Sequence, residues 1–224
     1  MISDYVQIVK NIVNKKTMKI IKNLEQWTLE WKNYRLWKIT WTSLKWVTWW
    51  FQAQQTAIYE LLAEEYIEED DLNAWEAMER WNFLEPVAKK KFEDITWFKV
   101  EEVWFIEKDS QHWLSPDGII KTWGVYWQAL EIKCPRWKNY VKYYLENKIP
   151  DEYKNQVVNY FLVMEDLECL HFMIYNPDTI NGLPDYKIIT VTRADLEVEI
   201  RQAEEKLTGF KTRWNTLKDN LLQW

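Results

Sequence analysis

The apolar residues Leu196, Ile200, Ala203, Leu207, Phe210, Trp214, Leu217 and Leu221 recur at alternating steps of four and three, which lays one stripe along a C-terminal helix within residues 193–224. That stripe suits packing against the domain's own sheet, or a subunit or partner contact. Upstream, helical periodicity predicts helices over 24–34 and 53–66, then an acidic turn at Glu68-Glu69-Asp70-Asp71. A long helix is predicted from Asn73, a suitable cap, to Phe92, with Lys89, Lys90 and Lys91 near its end opposing the macrodipole. The period then changes to two. FKVEEVWFIEK (98–108), the stretch around Leu114, and VYWQALEIKC (125–134) read as three successive strands. A helix over 151–165 and strands over 167–175 and 186–192 complete the order.

Composition narrows this pattern to one α/β domain over residues 18–192, preceded by a loosely attached extension at 1–17 for which Met18 is an alternative start. The chain of 224 residues is 47% hydrophobic and 29% charged, and no apolar run approaches the ~20 residues that span a bilayer. Its N-terminus lacks the apolar stretch of a secretory signal, so a cytoplasmic protein with no membrane partner is expected. Two cysteines, Cys134 and Cys169, form neither a disulfide framework nor a zinc pattern, and two histidines make a His-based metal site improbable. Any metal is expected to be a hard cation on carboxylates. The net charge of -6 argues against nonspecific coating of nucleic acid without excluding a local basic channel.

Three stretches carry candidate chemistry: Ser115-Pro116-Asp117-Gly118 on a turn, Glu131-Ile132-Lys133 on the next strand, and Tyr153-Lys154-Asn155-Gln156 on the following helix. Residues two apart on a strand share a face, so Glu131 and Lys133 point one way while Ile132 anchors in the core. A hairpin that sets Asp117 beside Glu131 joins two carboxylates and an ammonium, the composition needed to hold Mg²⁺ and activate a water. Taken singly, an E-x-K triplet is more often a solvated edge face. Fourteen residues after Asp117, however, it completes a spacing that resembles the PD-(D/E)xK nuclease signature.

The flanking words SPDG, ALEIKCP and IPDEYKNQVVNYFLV resemble the phage-type exonuclease family that includes lambda exonuclease and the YqaJ-like viral recombinases. QWTLEW (26–31), RLWKITWT (35–42), WNFLEP (81–86) and TWFKVEEVWF (96–105) match further family words, so the likeness runs from near Gln26 to near Tyr175. It implies a restriction-endonuclease-like α/β core, with a central mixed sheet flanked by helices. It also implies a metal shell of Asp117, Glu131, Glu85 and the Ile132 backbone carbonyl, filled by Mg²⁺ or in its place Mn²⁺. Lys133 would orient or deprotonate the attacking water or neutralise phosphate charge, and a lysine held among metals can have a lowered pKa. Tyr153 and Gln156 would position the water and the scissile phosphate. Arg35, Thr42 and Ser115 would form a pocket for a 5′-phosphate, while Lys38, Lys45, Lys138 and Lys142 are candidates for the DNA path.

The resemblance implies a 5′-to-3′ exonuclease on linear double-stranded DNA ends that releases 5′-mononucleotides and leaves a 3′ strand for a single-strand annealing protein. A trimeric ring is the family precedent. An endonuclease or structure-specific repair nuclease on the same core, and a non-catalytic DNA-end-binding module, are the rival expectations.

One compositional anomaly remains, because the chain holds 17 Trp and only 4 Gly, where average usage predicts roughly fifteen Gly. At Trp27, Trp37, Trp41, Trp81, Trp97, Trp104, Trp113 and Trp127 the family pattern has Gly, whereas Trp31 falls where the family itself has Trp. Some bacterial lineages and their phages read UGA as Gly, so translation with a Trp-reading table is the expected source of the excess, with a truly Trp-rich protein as the alternative. Trp81 is expected just past a helix end, and Trp97 and Trp123 at turns, where positive φ favours Gly.

Overall fold

In a computed structural model, residues 19–22, 28, 30, 34–35, 38–47, 51–66, 75–122 and 124–221 are described. Most of the helix expected over 24–34, the acidic run 68–71, Asn73, the extension 1–17 and Trp27, Trp31, Trp37 and Trp123 lie outside the described residues, as do the side chains of Trp41, Thr42, Lys45 and Trp81. In chain order the described elements are β1 (Lys19–Ile21), α1 (Trp41–Val47), α2 (Phe51–Tyr66), α3 (Trp75–Thr96), β2 (Val100–Glu101), β3 (Phe105–Glu107), β4 (Trp113–Leu114), β5 (Gly118–Thr122), β6 (Val125–Lys133), α4 (Trp137–Glu146), α5 (Lys154–Val163), β7 (Cys169–Tyr175), β8 (Tyr186–Thr192) and α6 (Glu197–Leu221).

Five strands form the central sheet in the order β2-β5-β6-β7-β8. Only β6 and β7 run parallel, and the crossover between them carries α4 and α5. The sheet is therefore mixed and flanked by helices, as expected. A separate antiparallel trio, β1-β3-β4, stands beside it. The apolar-periodic stretch 98–108 is thus two strands in two sheets rather than one, with Glu102 to Trp104 linking β2, which pairs with β5, to β3, which pairs with β1 and β4. Strand β5, immediately after the SPDG turn, and helix α4 had no counterpart in the periodicity reading.

Alternation along β6 assigns its faces. Leu130 and Ile132 enter a cluster with Leu84, Ala88 and Phe92 of α3 and Met173 of β7. Ala129 joins the larger core with Val157 and Phe161 of α5, Leu44 of α1, Ile58 of α2, and Ile200, Leu207, Phe210 and Trp214 of α6. Ile200, Ala203, Leu207, Phe210 and Trp214 of the C-terminal stripe are buried against the chain's own core, each large side chain contributing about 1.5–3 kcal/mol, whereas Leu221 at its end is exposed. Helix α3 runs through Trp81 and Pro86 to Thr96, so Trp81 lies inside the helix rather than past its end, and Lys89, Lys90 and Lys91 precede its last turn. Packing of Leu84, Ala88 and Phe92 on the sheet outweighs the hydrogen bond that Pro86 cannot donate.

Two tight spots fix the approach to the site. A Cβ on Gly118 would lie 2.2 Å from Val100 Cγ1, so only Gly lets β2 pair across the start of β5. At the other end of the link, α3 stops at Trp97, which adopts φ +64 and donates its N–H to Glu93 O at 2.8 Å. That is the left-handed closure usually given to Gly, and the indole is 90% exposed.

Candidate active site

The β5–β6 hairpin pairs Gly118 with Leu130, which sets Asp117 next to the C-terminal half of β6. Asp117 Oδ2 accepts the Ile132 N–H at 2.7 Å, and the Asp117 N–H is donated to the Tyr160 hydroxyl at 3.2 Å. Glu131, 0% exposed, points to the α5 face with Lys133. Its Oε1 lies 2.5 Å from Lys133 Nζ and 2.6 Å from Gln156 Nε2, and its Oε2 accepts the Tyr160 hydroxyl at 2.6 Å. Lys133 Nζ in turn sits 5.0 Å from the centre of the Tyr153 ring. The structure therefore brings Asp117, Glu131, Lys133, Gln156 and Tyr153 together at one end of β6.

Helix α5 is held at its C-terminal end. Arg193 donates to Phe161 O, Met164 O and Leu167 O, and Lys108 to Leu162 O, which satisfies the carbonyls at its C-terminus. Lower on the helix, Asn159 Oδ1 meets His112 Nε2 at 2.6 Å and Asn159 Nδ2 donates to Trp113 O. Burial of His112 lowers its pKa to about 4, so the ring is neutral. Tyr160 and Asn159 were not among the expected site residues. The signal for Tyr160 was its spacing: four residues after Gln156, it occupies the same helix face.

Electrostatics follow from this burial. Burial, then the charge of Glu131 and more weakly that of Glu85, push Asp117 well above the carboxylate range, although Lys133 and the Ile132 N–H oppose them. Burial alone would lower the Lys133 ammonium, but Glu131 and Asp117 outweigh it and the net shift is upward. In the metal-free protein the Glu131 carboxylate meets the amine directly, which accounts for the upward direction. Burial and Glu131 likewise raise Tyr160 far above the ordinary phenol range, which keeps its hydroxyl protonated and donating.

Among the described residues, no group of three or more His, Cys, Asp or Glu side chains is gathered to metal-holding distance. The donor chemistry nevertheless fits a hard cation. Burial and the neighbouring Glu131 charge raise the Asp117 pKa, a repulsion that a cation on both carboxylates would relieve, and the buried Gln156 Oε1 has no hydrogen-bond partner. Asp117, Glu131 and Glu85 would supply oxygens only, as Mg²⁺ or Mn²⁺ prefers.

The expected phosphate pocket is less defined. Tyr34 and Arg35 are helical, and Ile39 pairs with the β4 region, accepting from Trp113 N at 3.1 Å and donating to Gln111 O at 2.7 Å. This lays the segment after Arg35 beside the strand that leads to Ser115, which is partly buried two residues before Asp117. Lys38 is corrected from DNA path to interior support: it is buried, donates to Ser110 O at 2.8 Å and lies over the Trp113 ring. Lys138 and Lys142 are exposed at the rim of a groove also lined by Arg136, Leu145 and Ile180.

With that geometry in place, comparison with known proteins identifies the lineage. The model of the YqaJ-like viral recombinase domain matches residues 30–166. The chain belongs to that family. Its fold is that of an alkaline exonuclease from Laribacter hongkongensis, with a TM-score of 0.68 and 25% identity over 88% of this chain and 99% of that one. The same enzyme in complex with dAMP matches at TM-score 0.68 and 24% identity over 88% of this chain and 99% of that one. A phage-related exonuclease from Haemophilus somnus 129PT shares the fold at TM-score 0.60 and 12% identity, over 82% and 96% of the two chains. No curated protein matches the YqaJ-like chain. Among its described residues, no helix is long and apolar enough to cross a membrane.

Proposed function

We propose that this YqaJ-like protein is a Mg²⁺-dependent exonuclease that degrades one strand of linear double-stranded DNA from its 5′ end, releasing 5′-mononucleotides. The observation that carries the reading is the meeting of Asp117, Glu131 and Lys133 at the end of β6, in a chain of this family. A divalent ion held by Asp117, Glu131, Glu85 and the Ile132 carbonyl would lower the pKa of the attacking water and stabilise the leaving oxygen. The protein's own part is orientation and charge. Lys133, which forms an ion pair with Glu131, would neutralise phosphate charge and orient or deprotonate the attacking water. Gln156 and Tyr160 hold the Glu131 carboxylate in one rotamer, Tyr153 walls the lysine, and Arg35, Thr42 and Ser115 receive the 5′-phosphate. A cytoplasmic setting, a homotrimeric ring and an annealing protein that takes over the 3′ strand complete the proposal.

The test is digestion of a 5′-phosphorylated linear duplex and of a closed circle in Mg²⁺ or Mn²⁺. The wild type should degrade only the linear form, and Asp117→Ala should lose about 10³-fold or more in rate, the several kcal/mol of charge stabilisation removed with a ligand. Cutting of the circle would replace the exonuclease with an endonuclease. Equal rates for the two proteins would remove Asp117 from the site, and two inert proteins would leave a DNA-end-binding module.

The excess of Trp belongs to the same reading. We propose that several Trp positions are occupied by Gly in the native host, where UGA is read as Gly. Trp97 supports this most directly, since an exposed indole holds a left-handed helix closure for no packing gain. Trp81 and Trp113 support it less: the first lies within α3, and the second is buried against Tyr34 and Phe105 without positive φ. The mass of tryptic peptide 92–99 from native material decides between the residues at position 97, and a Trp-containing peptide would end the recoding proposal.

A further inference from the structure

The acidic end of the site holds a cation that the proposed chemistry does not use. Lys89 lies one helical turn after Glu85 on α3, with its Nζ 3.5 Å from Glu85 Oε1 and 2.8 Å from Glu102 Oε1. The Lys89 and Glu85 side chains are each only 13% exposed, whereas Glu102 is 62% exposed. An i,i+4 pair on an open helix surface is worth a few tenths of a kcal/mol. A pair so sheltered is screened less by salt and acts on neighbouring charges over a longer range.

The two distances differ in kind. Lys89 donates a hydrogen bond to Glu102 but meets Glu85 only as a nearby charge. Glu102, on the link between β2 and β3, thereby anchors the ammonium beside Glu85. The negative charge of Glu85 is felt at Asp117, so three carboxylates share one field with Lys133 and Lys89 as their cations. We infer that Lys89 is a positioning residue, a built-in counter-cation that steadies Glu85 in the metal-free protein and, as a competing positive charge, limits how tightly a divalent ion is held. Glu102 sets the strength of that competition by drawing the ammonium away from Glu85. This inference rests on the proposed metal site, and its experiment separates the two.

Mn²⁺ binding to the full chain, followed by electron paramagnetic resonance of the free ion and by calorimetry, is compared across four proteins. Lys89→Met should tighten Mn²⁺ binding by about tenfold, the scale of removing one unit charge beside a partly buried divalent ion. It should also lower the metal-free melting temperature, with Mn²⁺ restoring more of it than in the wild type. Glu102→Gln, at an exposed position that threatens the fold little, should weaken binding as the ammonium settles on Glu85. Asp117→Ala should abolish binding. Loss of binding in Asp117→Ala alongside unchanged or weaker binding in Lys89→Met, or unchanged or tighter binding in Glu102→Gln, overturns the role of Lys89 and leaves the metal site standing. Wild-type affinity in Asp117→Ala overturns the metal site itself, and the inference with it.

Discussion

The two faces of β6 each meet a helix and use the contact differently. Toward α3, Leu130 and Ile132 pack against Leu84, Ala88 and Phe92 in an apolar layer. Toward α5, Glu131 meets Gln156 and Tyr160 in a buried polar layer, although Val157 and Phe161 on the same helix are ordinary core. Burying a carboxylate costs several kcal/mol unless charge and hydrogen bonds compensate it. Here Lys133, Gln156 and Tyr160 do so. A protein seeking stability alone would repeat the α3 solution on both faces. The α5 face keeps charge where apolar packing would cost less, and the proposed chemistry lies on that face.

Variants on each face break or sharpen this contrast. The largest effect is expected from Phe92→Ala, which empties the centre of the α3 layer: about 3–5 kcal/mol of stability should be lost, read as a lower urea midpoint. Activity per folded molecule at low temperature should persist, and a selective loss of activity would erase the division of labour between the faces. Tyr160→Phe on the other face removes one donor from Glu131. It should cost about 10–100-fold in metal affinity or rate, as loss of an outer-shell partner does. A change confined to stability would make Tyr160 a packing residue.

The α5 face should also titrate. Asp117 is raised above its unfolded pKa, so its stabilising contribution is complete below the unfolded value and is lost as pH rises through the folded one. The metal-free melting temperature should therefore fall between acid and neutral pH. Asp117→Asn should flatten that slope, and added Mn²⁺ should offset it. The smallest effect is expected at the end of α3, where Trp97→Gly should stabilise by about 1 kcal/mol through relief of the left-handed backbone. Destabilisation there would show that the exposed indole has a contact worth keeping.

Some of these features were legible in particular residues. The step of two from Glu131 to Lys133, with Ile132 between, assigned the faces of β6 because strand alternation is a covalent consequence of the extended backbone. The four-three stripe from Leu196 to Leu221 marked α6 for the same kind of reason, yet left open what would cover it. Trp97 is legible as a turn residue, whereas Trp81 lies inside α3 because the helix continues through Pro86 when its buried face repays the missing hydrogen bond. The strand 98–108 was overextended because periodicity does not reveal which of two sheets a residue pairs with.

The sequence by itself determined the residue types of the site, their strand and helix settings and the family of the chain, since spacing along a regular backbone is local. Only the tertiary structure decided that Glu131 is wholly buried, that its carboxylate raises the Lys133 pKa in the metal-free protein, that Tyr160 donates to Glu131, and that Lys89 lies beside Glu85. Those properties come from charges brought together across long stretches of chain, and their sign depends on burial and distance, which no local pattern encodes.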